Sequence, residues 1–410
     1  MKRLLALLSL GCLSAGHNNT KVGLAGLSYS SHQQMTYNKQ TKNSCWTFPA
    51  DGNECCLQGV FDCLTGPCVT VPGVGKIQGS TRPTQFTGRD SHHFLGIPFG
   101  ETTAGEFRFA PPRPKAPLND GNDAYDASYL SYMAGWWNHI CAQPGPGITG
   151  LKASADPLMA LWAAEHPEEV RALPTGPMIG SEDCLHLAVY TPELPSAESD
   201  PKLPVMIYIH GGAFMQGGYV GAGPGKLLER DMVLVAMQYR MGPLGFMCLP
   251  DDEIAGNMGL LDQQLALQWV HDHISYFGGD PDRVTIMGES AGSASVTYHM
   301  LSDLSQPLFH QAIAESGSAL SSWAFDTEPE KHAKEIVAGL SCPTDNIADM
   351  RNCLKYETSA KDLVVAHKNY YVSTAGQLDL NKIVSLRKKR ERTPGWALAD
   401  PVHALKLTAR

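Results

Sequence analysis

The stretch that most constrains what this chain can become is residues 284–295, Val-Thr-Ile-Met-Gly-Glu-Ser-Ala-Gly-Ser-Ala-Ser. Residues 284–287 are apolar and rich in β-branched side chains, the composition of a strand buried in a parallel sheet. Gly288-Glu289-Ser290-Ala291-Gly292 follows at once, and residues 296–301 resume an apolar pattern of helical character. By itself a Gly-x-Ser-x-Gly run is also an ordinary Gly/Ser turn. Between a strand and a helix it is a nucleophile elbow, because the tight turn lifts the serine hydroxyl out of the sheet to where a base can reach it. Glycines at 288 and 292 leave out the Cβ atoms that would collide where strand and helix pass closely. The N–H of Ala291, at the helix start, has no carbonyl behind it and can donate to an oxyanion.

The surrounding pattern says what sheet this strand belongs to. Residues 69–78 alternate as an edge hairpin strand, and 94–98 form an apolar strand ended by Pro98. Further strands are expected at 185–190, 203–209, 233–237 and 311–314. Between 260 and 277 the apolar residues Leu261, Leu265, Trp269, Val270, Ile274 and Phe277 fall at helical spacing, stopped by Gly278-Gly279. Strands alternating with helices indicate an α/β chain with a doubly wound, mostly parallel sheet. Sites in such sheets lie at the carboxyl ends of strands, where Ser290 falls. So does His210-Gly211-Gly212-Ala213-Phe214, directly after the 203–209 strand. A plain glycine turn accounts for two glycines; a loop at a strand end ahead of the elbow is better accounted for as an oxyanion hole. The expected donors are the N–H groups of Gly211, Gly212 and Ala291.

Composition excludes several classes. The 410 residues, 43% hydrophobic and 18% charged, suffice for a large core, and a net charge of −9 argues against a nucleic-acid partner. No run of apolar residues after the N-terminus is long enough for a transmembrane helix. Met1-Lys2-Arg3, the apolar residues 4–13 and Ser14-Ala15-Gly16 have the three parts of a signal peptide over 1–16, and eleven cysteines suit an oxidising, extracellular compartment. Asn18-Asn19-Thr20 is a glycosylation acceptor by pattern. Residues 17–68 form a Cys-rich extension with Cys45, Cys55, Cys56, Cys63 and Cys68, and no Cys-x-x-Cys pair to favour a metal. Five is an odd number; Cys248 or a second chain supplies the sixth, and the sequence leaves that pairing open.

Six motifs in order make the chain resemble the type-B carboxylesterase and cholinesterase family of α/β-hydrolases. They are Phe94-Leu95-Gly96-Ile97-Pro98-Phe99-Gly100 with Arg108-Phe109-Ala110-Pro111-Pro112; Ser181-Glu182-Asp183-Cys184-Leu185-His186-Leu187, where His186 replaces the usual aromatic; Gln238-Tyr239-Arg240-Met241-Gly242-Pro243-Leu244-Gly245-Phe246; Gly256-Asn257-Met258-Gly259-Leu260-Leu261-Asp262-Gln263; Phe277-Gly278-Gly279-Asp280-Pro281 before the elbow; and Glu315-Ser316-Gly317-Ser318-Ala319 after it. The resemblance covers 69–365 and implies the α/β-hydrolase fold, disulfides Cys141 to Cys184 and Cys342 to Cys353, no cofactor or metal, and a small-molecule carboxylic ester as partner. Ester hydrolysis would run through an acyl-enzyme on Ser290. Trp162 falls in the loop where cholinesterases keep a choline-binding tryptophan. Its helix-like surroundings fit packing instead, so a general esterase is expected ahead of a cholinesterase.

A serine hydrolase of this fold needs an acid and a histidine after its serine. The family's motifs for them lie beyond where the resemblance stops. None of His299, His310, His332, His367 and His403 sits in a glycine-flanked histidine motif, so the triad histidine and acid remain unassigned. Residues 366–410, with the basic run 387–392, are read as a divergent, disordered tail, and the sheet as incomplete in its C-terminal part. The rival to an esterase is a non-catalytic adhesion or binding protein with the same scaffold. Retention of Ser290 and the oxyanion glycines favours descent from a working esterase. Oligomeric state is not legible.

Overall fold

The structure, a computed structural model, describes residues 35–38, 43–47, 54–57, 66–84, 86–119, 124–128, 139–145, 177–219 and 223–374, with backbone alone for 35–57 and 369–374. The leader, the Asn18 acceptor, Cys63, Trp162, His403 and the basic run lie outside the described residues. Two compact units divide at Leu64 and Thr65. In the first, β1 (Met35–Asn38), β2 (Asn43–Thr47) and β3 (Glu54–Leu57) make an antiparallel sheet whose register sets Cys45 opposite Cys56.

In the second unit, residues 69–78 are a hairpin and not one edge strand. β4 (Cys68–Val71) turns back into β5 (Gly75–Gln78), with Gly73 and Gly75 taking positive φ at the turn. β6 (Ser80–Pro83) and β7 (Asp90–Pro98) follow, and β8 (Tyr125–Asp126) joins β4 and β5 in a separate small sheet. A two-stranded pair, β9 (Gln143–Pro144) with β10 (Met178–Ile179), precedes the strands β11 (His186–Thr191), β12 (Leu203–Ile209), β13 (Val233–Met237), β14 (Gly279–Glu289) and β15 (Gln311–Glu315).

The main sheet has seven strands in the order β15-β14-β12-β13-β11-β7-β6. β13, β12, β14 and β15 run parallel, and this half carries the elbow; β11, β7 and β6 are antiparallel. The central strands are continuous apolar runs because both faces are covered: every residue of β11 and of β13 is buried.

The helices are α1 (Gly242–Phe246), α2 (Met258–His273), α3 (Ala291–Met300), α4 (Pro329–Ala338), α5 (Ile347–Asn352) and α6 (Ala360–Thr374). α2 ends in a 3-10 turn, Ile274–Phe277, stopped by Gly278 at φ 84°. Its Trp269 meets Phe277, which meets Phe94 of β7 edge-on at 5.1 Å, so helix and sheet share one core. Each such fully buried apolar side chain contributes roughly 1.5–3 kcal/mol. A second cluster, including Leu244, Ile336, Val337, Leu354 and Leu363, packs α4–α6 over α1.

Two bidentate ion pairs and two disulfides tie loops to this frame. Arg240 grips the fully buried Asp262 at 2.7 and 2.8 Å, and Arg108 holds Glu182 at 2.7 Å through two nitrogens while donating to the Leu354 and Thr358 carbonyls. Cys141 is bonded to Cys184 and Cys342 to Cys353. Cys68 is disulfide-bonded, and the buried Cys248 thiol donates to the Leu249 carbonyl. No described helix is long and apolar enough to cross a membrane.

Candidate active site

β14 ends at Glu289 and α3 begins at Ala291, leaving Ser290 alone between them at φ 56°, ψ −117°, a region L-residues avoid unless the surroundings hold them. Three contacts hold this one. Ser290 N–H donates to the Glu315 carbonyl at 2.9 Å, Ala294 N–H returns to the Ser290 carbonyl at 3.0 Å, and Gly317 lies so close that a Cβ there would stand 2.3 Å from the Ser290 carbonyl oxygen. A Cβ on Gly288 would come 2.3 Å from the Gly292 carbonyl carbon, and one on Gly292 would come 2.0 Å from the Ile209 oxygen. The glycines are there because strand, helix and neighbouring strand meet at backbone distance.

The loop after β12 packs directly on this turn. A Cβ on Gly211 would lie 2.6 Å from the Glu289 carbonyl oxygen and 3.2 Å from the Ser290 Cβ. Gly212 has φ 109°, and Ala213 and Phe214 both adopt left-handed backbone, at 56° and 57°. The chain therefore coils, with Met215 and Gln216 N–H donating back to the Gly212 carbonyl at 3.0 and 3.1 Å. Among the described residues the N–H groups of Gly211, Gly212 and Ala291 have no backbone acceptor, and the neighbouring Ser290 is half-buried.

The loop is clamped by side chains whose holding role the sequence does not show. His210 is buried and stacked on Tyr239 at 4.3 Å, and Tyr239 OH donates to the His210 carbonyl at 2.8 Å. Burial pushes the His210 pKa down to about 4, against the Gly211 carbonyl and the Gln238 amide, which favour the charged form. The ring is neutral near pH 7, and with Nδ1 2.8 Å from the Gly211 carbonyl oxygen the proton sits on Nδ1. Gln143 fastens the far side, donating to the Gly217 carbonyl and accepting from the Gly217 N–H, both at 2.8 Å. Gln143 stands two residues from the Cys141–Cys184 bridge, which fixes its strand.

No described histidine hydrogen-bonds to Ser290. His299 spends both ring nitrogens at 2.9 Å, on Ser305 Oγ and Gln263 Oε1, and burial pushes its pKa down to about 4. His310 Nδ1 lies 3.3 Å from the Val284 N–H and accepts from it. His332 pairs with Asp326 at 2.7 Å, and His367 is buried with its pKa lowered by burial to about 4. Both line a cleft with Gly242, Phe246 and Ile336 that Ser290 does not touch. No described group of three or more His, Cys, Asp or Glu is placed to hold a metal ion.

A strand, a strained serine turn and a helix on this sheet, with a glycine loop beside the serine, define an α/β-hydrolase fold. The comparisons with known proteins agree. The model of the Carboxylesterase family matches residues 65–387. The chain is 34% identical over 336 residues to liver carboxylesterase B-1 of Rattus norvegicus, covering 79% of this chain and 55% of that one. It is 38% identical over 301 residues to acetylcholinesterase of Electrophorus electricus, covering 71% and 42%. To venom carboxylesterase-6 of Apis mellifera it is 35% identical over 288 residues, covering 70% and 45%. The chain belongs to the carboxylesterase family, and it spans about half the length of these relatives.

Proposed function

We propose that the chain acts on small carboxylic esters through an acyl-enzyme on Ser290. The observation that carries this reading is the juxtaposition of a serine held at φ 56° with three N–H groups, on Gly211, Gly212 and Ala291, that lack backbone acceptors among the described residues. An ester carbonyl held there would be attacked by Ser290 Oγ. The bond to the alcohol oxygen would break as the tetrahedral oxyanion collapses, and water would release the acid. The proton from Oγ needs a base. No described histidine hydrogen-bonds to the serine, so in this reading the histidine and its acid come from outside the described residues, in this chain or another. Without them the hydroxyl keeps its ordinary high pKa, and the oxyanion donors sustain only residual catalysis, of the order of 10³–10⁴ over water in serine proteases lacking a triad member.

One observation favours a second reading. A Ser290 without a base among the described residues also fits an esterase-like protein that binds and does not turn over. Labelling with an organophosphonate that reacts only with activated serines separates the two. Modification of Ser290, lost in Ser290→Ala, supports the hydrolase; a folded chain that stays unlabelled supports the binding protein. Export fits both readings, because the disulfides Cys141–Cys184 and Cys342–Cys353 persist in oxidising compartments. The division into 1–16, 17–68, 69–365 and 366–410 is part of the same proposal.

A further inference from the structure

His210 stands one residue ahead of the glycines that flank Ser290. Near pH 7 its ring is neutral, and the proton on Nδ1 is donated to the Gly211 carbonyl at 2.8 Å. The peptide joining Gly211 to Gly212 is trans, so its C=O and N–H leave on opposite edges. Holding the Gly211 oxygen against His210 therefore turns the Gly212 N–H to the other edge, away from the ring. Gly217 seals the held edge: a Cβ there would stand 2.5 Å from the Gly211 oxygen and 2.6 Å from His210 Nδ1. With water kept from competing, that one bond governs the peptide plane more firmly than it would in an exposed turn. The plane needs such a hold, because Gly211 and Gly212 have no side chains of their own to fix it.

What keeps the proton on Nδ1 lies at the other ring nitrogen. His210 Nε2 is buried, and so is the Gln238 amide beside it. Beyond each other, neither finds a hydrogen-bond partner among the described residues. Gln238 is held in place: its backbone N–H donates to the His186 carbonyl at 2.9 Å, and a Cβ on Gly218 would stand 2.7 Å from its Nε2. An amide offers a donor or an acceptor by turning over, and toward the bare Nε2 of a neutral ring it offers its N–H. Stacking on Tyr239, with centroids 4.3 Å apart, keeps the imidazole in the plane that reaches Gly211. We propose that His210, held in its Nδ1–H form by Gln238, is a positioning residue that aims the Gly212 N–H at the oxyanion of the ester reaction. The inference rests on the ester reading and adds to it the side chains that fix one donor's direction. Neither side chain acts on the ester itself; both act through the backbone of the loop.

The test uses the full 410-residue chain, with circular dichroism confirming that each variant is folded. Turnover of p-nitrophenyl acetate is measured against Ser290→Ala as the baseline. His210→Phe keeps a ring to stack on Tyr239 but has nothing to donate to Gly211. It is expected to lower kcat about 100-fold, the lower end of the loss of one oxyanion donor, with KM nearly unchanged. His210→Asn loses the ring but sets an amide N–H where Nδ1 stood, and is expected to recover most of that loss. A role in packing alone predicts the reverse order, with Phe tolerated and Asn not. Nuclear magnetic resonance of isotopically labelled histidine rings at neutral pH reads the tautomer directly, the His210 signal being the one lost in His210→Phe. The proton is expected on Nδ1 in the wild type, and Gln238→Glu, whose carboxylate can only accept, is expected to draw a proton onto Nε2. A wild-type ring protonated on Nε2 alone would overturn the proposal, as would a His210→Asn chain as slow as His210→Phe. Turnover no higher than that of Ser290→Ala would overturn the ester reading and this role with it, whereas turnover that survives His210→Phe overturns this role alone.

Discussion

Replacing Gly292 by alanine tests whether the elbow is held by backbone-to-backbone packing. The added Cβ would lie 2.0 Å from the Ile209 carbonyl oxygen and 2.9 Å from its carbon. An ordinary contact needs about 3.4 Å, so α3 and the end of β12 must separate by roughly 1.4 Å. Neither side can yield cheaply: Ile209 is paired with Met237 on one side and Gly288 on the other, and α3 is pinned by Ser293 Oγ on the Gly317 carbonyl at 2.6 Å. Overpacking in a core costs about 1–3 kcal/mol, and a clash between two backbones belongs at the upper end. At roughly 2.1 cal/mol/K of unfolding entropy per residue, a unit spanning Thr65–Arg410 shifts by about 1.4 °C per kcal/mol, so the midpoint of thermal unfolding should fall by roughly 4 °C. Gly223→Ala is the control, since nothing lies within 4 Å of a Cβ there, and it should move the midpoint by no more than about 1 °C. Differential scanning calorimetry on both variants decides the matter. Equal midpoints would refute the close approach from which the site is built.

Other expectations follow from the same frame. Asp262→Asn leaves the Arg240 guanidinium buried without its counter-charge and should cost about 3–5 kcal/mol in urea unfolding. Removing the Cys141–Cys184 bridge by a double serine substitution should cost about 4 kcal/mol, and removing Cys342–Cys353 about 3, because the first closes the longer loop, 43 residues against 11. His93, His210, His299 and His367 are held down to about 4 and His186 to about 3, all chiefly by burial. Their folded values lie below the unfolded value near 6.5, so between those limits the unfolded chain binds more protons. Stability should be level above about pH 6.5 and fall as pH drops toward 4, with each group adding up to about 1.4 kcal/mol per pH unit. A urea midpoint that rises on acidification through that window would contradict it.

How much of this the sequence discloses depends on how local each interaction is. The turn at Ser290, β12 and β13 are legible because short apolar runs end at glycines and motif residues with one local geometry. The direction of a strand is not local: nothing in the 185–190 run distinguishes its antiparallel partners from parallel ones, so the antiparallel half of the sheet emerges only in three dimensions. β14 begins at Gly279, earlier than its apolar run at Val284, because pairing of Gly279 with Leu203 extends it through polar residues. Residues 69–78 alternate across a turn, and the period does not reveal the break at Gly73. Gln143 clamps Gly217 across 74 residues of chain, and a lone glutamine carries no signal of that role. Tyr239 and Arg240 stand within a recognised motif, but stacking on His210 and pairing with Asp262 are visible only once β13 and α2 are side by side. The reach of α6 to Thr374 is likewise hidden, its apolar spacing being weak.

The central claim is that Ser290 is the reacting atom's owner in ester chemistry. It is tested most directly by exposing the folded chain to a fluorophosphonate and reading the modified residue by peptide mass spectrometry, with Ser290→Ala alongside. The account predicts modification at Ser290, absent in the variant and faster than at exposed serines such as Ser322. A chain that is folded by calorimetry yet unmodified at Ser290, or modified equally at other serines, would contradict it.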